Sequence, residues 1–149
     1  MGILNQRAIA ERTNRFVEQH DIKHAGVQNP VSLMSGGNLQ KLLMAREVNG
    51  DPDVIVSAYP VHGVDIGATN AIHEILLDQR KRGAAILMIS EDLEELFTMS
   101  DRVAVLFEGK ITGIVDVPAN ITQANYDEVG HLMVGNIAAA QQMRGGAAG

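Results

Sequence analysis

The 149-residue sequence contains no cysteine. A chain without thiols forms neither disulfides nor a thiolate metal site, and this composition fits a reducing compartment. Basic residues are also outnumbered: 12 Lys and Arg stand against 18 Asp and Glu, for a formal net charge of -6. This balance provides no long-range attraction to DNA or RNA phosphates, so we expect no nucleic-acid partner.

Long apolar runs are missing as well. No stretch approaches the ~20 apolar residues that span a bilayer, and the start, MGILNQRAIAERTNR, lacks the apolar core of a signal peptide. We therefore expect a soluble chain. A GxxxxGK(S/T) phosphate loop is also absent, so this chain cannot form the usual nucleotide cradle by itself.

The apolar pattern that is present predicts an α/β protein with one core. Helical spacing indicates helices over residues 6–19, 39–48, 68–82 and 123–134, with a short acidic helix in EDLEELFTM. DVIVSA, AAILMIS and RVAVLFE are typical of buried strands, and the helices between them favour parallel pairing in a sheet covered on both faces. Glu108-Gly109-Lys110 predicts a tight turn, so RVAVLFE and KITGIVDV should form a hairpin.

The stretch VSLMSGGNLQK places a serine and two glycines at the start of a predicted helix. The first N–H groups of a helix have no partner within it, and the helix dipole adds about half a positive charge there. Glycine lets an anion approach the backbone closely. The candidate anion-binding residues of this helix start are Ser35, Gly36, Gly37 and Asn38; Gln40 and Lys41, one turn further, either add polar contacts or are solvated. A serine before a helix is, however, more often a plain N-cap.

Ligands of α/β proteins usually bind at the carboxyl ends of strands, which here are SAYPVHGVD and SED. Asp65 in the first of these loops is either a cap for the following helix or a ligand-facing residue. His62 is more simply a solvated loop histidine. The acidic residues of SEDLEE are ordinary complements to a helix dipole rather than a metal site.

These motifs occur in a specific order: MSGGNLQK at a helix start, a strand ending before a proline, a Gly-Val-Asp loop, a strand ending in Ser-Glu-Asp, and a hairpin. This order resembles the C-terminal part of an ABC transporter nucleotide-binding domain, and MSGGNLQK is similar to that family's LSGGQ signature. The likeness covers residues 31–117, and residues 3–30 resemble the rest of the helical subdomain. SGGNLQK and VHGVDIGA are most similar to the second ATPase half of importers for simple sugars and nucleosides.

The resemblance implies a partial P-loop NTPase-like (ABC ATPase) lobe with a mostly parallel sheet, a C-terminal β-hairpin and part of the helical subdomain. It divides the chain into a helical-subdomain remnant with the signature helix (residues 1–50), an α/β core portion (51–135) and a flexible tail (136–149). The tail sequence, NIAAAQQMRGGAAG, has no periodic apolar face, so we expect about its last ten residues to be loosely held.

Three positions depart from the family pattern. The strand normally ends Asp-Glu-Pro, where the Asp helps to hold Mg²⁺ and the Glu polarises the attacking water. The aligned residues here are Ala58, Tyr59 and Pro60. The family's switch histidine, which contacts the γ-phosphate, falls on Glu91, whose charge is unfavourable beside phosphate. The resemblance therefore implies a degenerate hydrolytic site with no catalytic residue and no metal ligand in this chain.

In this family two nucleotide domains sandwich ATP head to tail, and each lends its signature helix to the nucleotide held by the other. The resemblance thus implies ATP with Mg²⁺ as a cofactor held mainly by a partner domain, contacted here by Ser35, Gly36, Gly37, Asn38, Gln40 and Asp65. It implies a second nucleotide-binding domain and membrane permease subunits as partners, and a cytoplasmic place on the inner face of the cell membrane. The isolated chain is expected to be inactive and to bind ATP weakly.

Two other functions fit the residues without the resemblance. The chain could be a free-standing α/β module that binds a different anionic metabolite at the SGG helix start. It could also be a purely structural or interaction domain. A GxxxxGK(S/T) strand-loop-helix immediately upstream in the gene would favour the transporter hypothesis over both.

Overall fold

The computed structural model describes residues 5–146, with side chains described over residues 5–143. The chain divides into two compact units, the first reaching Ile89 and the second beginning at Ser90. The first unit contains α1 (Gln6–Gln19), a 3-10 turn (Val31–Leu33), α2 (Gly36–Val48), β1 (Val54–Ala58), α3 (Ile66–Lys81) and β2 (Ala85–Ile89). The second contains α4 (Leu93–Met99), β3 (Arg102–Phe107), β4 (Lys110–Asp116), α5 (Gln123–Met133) and α6 (Ile137–Gly146).

In the first unit, β1 and β2 pair in parallel, in register from Val54 opposite Ala85 to Ala58 opposite Ile89. This confirms the parallel pairing predicted for DVIVSA and AAILMIS. One face of the pair turns its side chains inward, with Ile55 and Ser57 buried. The prediction of a sheet covered on both faces is wrong for this pair, because the apolar side chains of the opposite face are exposed: Val54, Val56, Leu87 and Ile89.

The helical part of the first unit has its own small core. Val17 of α1, Ile22 and Ala45 of α2 are buried together, and Phe16, Met34 and Leu42 pack against them. α2 also packs against α3. In α3, the fully buried Ile72 and Leu76 lie four residues apart, which is the spacing of one helix face. These contacts fix the start of α2 next to the start of α3.

In the second unit, β3 and β4 form the predicted antiparallel hairpin. Glu108 and Gly109 at its turn have φ of 48° and 74°, the left-handed pair that a type I′ turn requires. Beneath the hairpin, α5 contributes Val129 and Leu132 to a buried cluster with Phe97. Among the described residues, β3 pairs only with β4, so the hairpin predicted for RVAVLFE is confirmed and its predicted parallel pairing with the other strands is wrong.

The segment predicted as a flexible tail is helical over most of its described length. Gly135, with φ of 74°, ends α5, and the Asn136 N–H donates to the His131 carbonyl at 2.8 Å, as in a Schellman motif. Asn136 then accepts a hydrogen bond from the Ala139 N–H and starts α6. Ala140 of α6 is buried in the second unit's core. Residues 147–149 lie outside the described residues.

The domain boundary predicted near residue 50 does not coincide with the division between the two units, which falls at Ile89 and Ser90. The first unit therefore combines the predicted helical segment with β1, α3 and β2. Within the part of the chain that the structure describes, no helix is both long and apolar enough to cross a membrane.

Candidate functional site

The start of α2 is an exposed helix end at which two backbone N–H groups have no partner among the described residues. Ser35 is the N-cap residue, with extended φ and ψ of -66° and 154°, and its Oγ accepts from the Asn38 N–H at 3.4 Å. Gly36 and Gly37 form the first turn, which agrees with their predicted place at the helix start. No hydrogen bond among the described residues uses the N–H of either glycine. These two groups are free to bind an acceptor from outside the chain.

The starts of α2 and α3 lie against each other. Asp65 caps α3, its Oδ1 accepting from the Ala68 N–H at 2.9 Å, which confirms the cap interpretation of this residue. A Cβ added to Gly37 would lie 2.9 Å from the Ala68 Cβ and 3.5 Å from Asp65 Oδ2, so this contact requires glycine. A Cβ on Gly36 would meet nothing within 4 Å. Ser35, the two glycines and Asp65 therefore share one surface region of the first unit.

The polar side chains that follow the glycines bind other segments of the chain. Gln40 Nε2 donates to the Pro60 carbonyl at 2.8 Å, so its amide nitrogen is engaged with the loop after β1. Lys41 Nζ donates to the Asp21 carbonyl at 3.1 Å and lies 3.4 Å from Asp21 Oδ2. The Asn38 side chain connects to the segment after α1. The first turns of α2 are thus tied to both neighbouring loops.

The end of β1 and the first positions of the following loop carry no carboxylate, because they are Ala58, Tyr59 and Pro60. Tyr59 has a φ of 51°, an uncommon backbone conformation for a bulky residue. Its N–H donates to the Ile89 carbonyl at 2.7 Å, which holds the residue at the end of the β1–β2 ladder. Its side chain is 49% exposed. An alanine and a tyrosine at these positions offer no carboxylate, either as a ligand for Mg²⁺ or as a general base.

Glu91 lies in the second unit, in the turn before α4, and is exposed. The next residue, Asp92, caps α4, because its Oδ1 accepts from the Glu94 and Glu95 N–H groups at 2.9 and 3.2 Å. This confirms that part of the acidic cluster complements the helix end. His62 is exposed in the loop after β1, and its backbone N–H donates to the Tyr59 carbonyl at 3.2 Å.

The hydrogen bonds of the Asn38 side chain were not predicted from the sequence, which indicated a role only for the backbone N–H of this residue. Its Oδ1 accepts from the Lys23 N–H at 2.7 Å, and its Nδ2 donates to Ser35 Oγ at 2.9 Å. A polar residue three positions after an N-cap serine is a local signal, because that spacing brings it next to the cap. The Lys23 contact has no sequence signal, since it depends on how α1 leads into α2.

No protein-family model matches the chain, but curated proteins do. The nucleoside import ATP-binding protein NupA of Lactococcus lactis is 39% identical over 134 residues, which are 90% of this chain and 26% of that protein. The guanosine import ATP-binding protein NupO of Bacillus subtilis is 35% identical over 136 residues, 91% of this chain and 26% of that protein. The chain thus spans about a quarter of the length of these relatives.

Solved structures agree on the fold. The ATP-binding cassette MJ0796, in a dimeric post-hydrolysis state with ADP and Pi, superposes with a TM-score of 0.64 at 16% identity. That match covers 80% of this chain and 51% of the cassette. MJ1267, an ATP-binding cassette of an ABC transporter, gives the same TM-score at 20% identity, over 95% of this chain and 53% of the cassette. By sequence and by fold, the chain belongs to the ABC transporter nucleotide-binding domain family and corresponds to about half of one cassette.

Proposed function

We propose that this chain is part of the ATP-binding subunit of an ABC importer for a sugar or a nucleoside. In that subunit its α2 start supplies hydrogen-bond donors to the phosphates of an ATP held by a second nucleotide-binding domain. Its own hydrolytic position is degenerate. The observation that carries this proposal is the pairing of an exposed donor cluster at Ser35, Gly36 and Gly37 with the absence of carboxylates at Ala58 and Tyr59.

The donor cluster fits a phosphate. Two backbone N–H groups without a partner among the described residues and a serine hydroxyl converge at the positive end of α2. Since phosphoryl transfer depends largely on positioning and charge stabilisation, such donors can matter without any base nearby. Asp65, beside Gly37, is proposed to reach the same interface while it caps α3. Gln40 is proposed to support the site through Pro60 rather than by touching the nucleotide.

The residues at the chain's own hydrolytic position do not fit Mg²⁺. A divalent magnesium ion takes oxygen ligands, commonly a carboxylate, and Ala58 supplies none. Glu91, at the position of the family's γ-phosphate histidine, would repel phosphate rather than bind it. Magnesium is therefore proposed to be held by the partner domain, together with the phosphate loop and the attacking water.

The proposed assembly follows from the relatives, whose names describe import of nucleosides and guanosine. A third relative, a glucose import ATP-binding protein of Haloferax volcanii, is 44% identical over 98 residues. We therefore propose permease subunits as further partners and a location at the cytoplasmic side of the membrane. The substrate is proposed to be a simple sugar or a nucleoside.

The proposal is tested by ATP turnover of the complete ATP-binding protein in its assembled transporter. Replacing Ser35 with Arg puts a bulky side chain over the donor cluster and should reduce turnover by about a hundredfold or more. Glu91→Gln should leave turnover within about twofold, because that position is outside the working site. Equal losses from the two substitutions would contradict the degenerate-site assignment, and full activity of Ser35→Arg would contradict the donor role.

Binding of ATP to this chain alone provides a second test. Without a phosphate loop the chain should show no calorimetric affinity for Mg-ATP in the micromolar range, which corresponds to about -8 kcal/mol of binding free energy. Tight binding by the isolated chain would mean that it holds a nucleotide by itself and would favour a free-standing binding module.

A further inference from the structure

Both ends of the Asn38 side-chain amide are hydrogen-bonded within the chain. Its Oδ1 accepts from the Lys23 N–H at 2.7 Å, and its Nδ2 donates to Ser35 Oγ at 2.9 Å. A backbone N–H can only donate, so Lys23 fixes which end of the amide faces it and leaves the NH₂ group for Ser35. The orientation of the amide is therefore set by a residue 15 positions away.

This arrangement determines what Ser35 can still do. A serine hydroxyl has one donor and two acceptor positions. Both acceptor positions are taken by Asn38, one by Nδ2 at 2.9 Å and one by the backbone N–H at 3.4 Å. No described residue accepts from the Ser35 hydroxyl. Its proton is left to point away from Asn38, toward the exposed side of the α2 start.

We propose that Asn38 is a positioning residue that fixes Ser35 as a hydrogen-bond donor to an anionic oxygen. The inference rests on the proposed function, since the oxygen is that of the phosphate held by the partner domain. It assigns a specific role to the amide: Asn38 does not contact the nucleotide through its side chain, and it acts through Ser35. The Lys23 contact keeps this amide in place before the nucleotide arrives.

An aspartate at this position is the sharpest test. Asn38→Asp is nearly isosteric and keeps an oxygen for the Lys23 N–H, so the connection to the segment after α1 is retained. The carboxylate, however, cannot donate to Ser35 Oγ and accepts the hydroxyl proton instead. Ser35 is then turned away from the phosphate, and losing a hydrogen bond to a charged group corresponds to about a 10- to 100-fold lower rate.

The experiment measures ATP turnover, as kcat and KM, of the complete ATP-binding protein assembled with its partner domain. The variants are Ser35→Ala, Asn38→Ala, Asn38→Asp and the two double variants with Ser35→Ala. Each substitution at Asn38 should lower kcat about tenfold or more when Ser35 is present, and by less than about twofold in the Ser35→Ala background. Activity of Asn38→Asp relative to the unsubstituted protein should rise as pH falls and the new carboxyl group becomes protonated, because it can then donate to Ser35.

Lys41→Met is the matched control. It breaks a second connection between α2 and the segment after α1, at Asp21, without touching Ser35. Any loss of turnover in this variant should be the same with and without Ser35→Ala. The melting temperature of each variant shows whether it is folded at the assay temperature, so that turnover is compared between folded proteins. If Asn38→Ala unfolds, Asn38→Asp still provides the test.

The outcomes separate the two proposals. If Ser35→Ala itself leaves turnover unchanged, the proposed donor role fails. If Ser35→Ala lowers turnover but the Asn38 substitutions have the same effect in both backgrounds, the donor role stands and the positioning role of Asn38 is overturned. A lack of recovery of Asn38→Asp at low pH would overturn it as well.

Discussion

At the scale of single residues, backbone strain in the first unit concentrates at Tyr59. Its φ of 51° is in the left-handed region, which costs roughly 1–2 kcal/mol for a residue with a Cβ. The other non-glycine residues with positive φ in residues 5–146 are acidic: Asp21, Asp51 and Glu108. Strained backbone is often found at functional sites, and here it falls at the position proposed to correspond to the family's water-polarising glutamate.

Asparagine tolerates this conformation, so replacing Tyr59 with Asn should stabilise the first unit. We expect an increase of about 0.5–1 kcal/mol in the free energy of unfolding, because the half-exposed ring contributes little packing. Urea denaturation of the chain measures it. Tyr59→Val is the control and should be destabilising, since β-branched residues are disfavoured at positive φ. A loss of stability in the Asn variant would show that the ring supports the loop.

His20, at the end of α1, makes stability depend on pH. Burial, and secondarily the positive charge of Arg82, hold the pKa of His20 below its usual value of about 6.5. A histidine with a lowered folded-state pKa binds its proton more readily when unfolded, so stability falls as pH drops from above 6.5 through the folded-state pKa. Above about pH 6.5 this contribution is fully present.

The unsubstituted chain should therefore lose more stability between about pH 7.5 and pH 5 than a His20→Gln variant does. Arg82→Gln should reduce this difference without removing it, because burial is the larger cause. Urea midpoints at the two pH values check both expectations. Identical pH dependence in the unsubstituted chain and His20→Gln would show that other groups dominate.

Residue roles were predictable from sequence where they depend on near neighbours. Ser35 and Asp65 each accept from an N–H three residues ahead, so their capping follows from local pattern. The contact of Gln40 with Pro60 and that of Asn38 with Lys23 span 20 and 15 residues, and nothing in the local sequence indicates them. The ligand-facing roles of these residues remain predictions.

At the scale of elements, the second unit depends on how closely α5 approaches the hairpin. A Cβ added to Gly113 of β4 would lie 2.8 and 2.9 Å from the methyl carbons of Leu132, which is buried. Gly113→Ala should therefore reduce stability by about 1–3 kcal/mol through overpacking. Gly130→Ala, within α5, meets nothing within 4 Å and should add about 0.5–1 kcal/mol. Thermal unfolding of both variants checks the contrast, and similar effects at the two sites would contradict this packing.

Element types followed from the sequence because they are set locally, as in the Glu108-Gly109 turn. The hairpin pairing of RVAVLFE also followed from its turn, but the parallel pairing expected of it was wrong, since an apolar run is equally compatible with a parallel sheet and with a hairpin over a helix. α6 was not predicted because its sequence has no periodic apolar face. Among its described side chains Ala140 is the buried one, and the Asn136 cap with an alanine-rich start was the available signal.

At the scale of the whole molecule, one face of the β1–β2 pair is apolar and exposed. Val56 and Leu87 are opposite each other in the parallel register and are 66% and 59% exposed. The matched cassettes are about twice as long as the aligned chain. We expect the isolated chain to bind a hydrophobic dye through this face.

A double variant, Val56→Thr with Leu87→Thr, should bind less dye and keep its secondary structure, because threonine is also suited to strands. Ile55→Thr, on the buried face of the same strand, is the matched control and should destabilise the unit. Fluorescence titration measures the dye binding of both variants, and circular dichroism measures their secondary structure. Unchanged dye binding by the double variant would show that the face is already covered in solution.

The central claim is that Ser35 faces the terminal phosphate of an ATP held by another domain. The chain has no cysteine, so Ser35→Cys gives it a single thiol. The direct measurement is labelling of that thiol, in the complete assembled protein, by an ATP analogue with a thiol-reactive group on its γ-phosphate. We predict labelling that ATP blocks and that disappears when the partner's phosphate loop is disabled, with the Ser35 protein as the unlabelled control. Labelling that persists without the partner's phosphate loop, or no labelling in the active assembly, would contradict the claim.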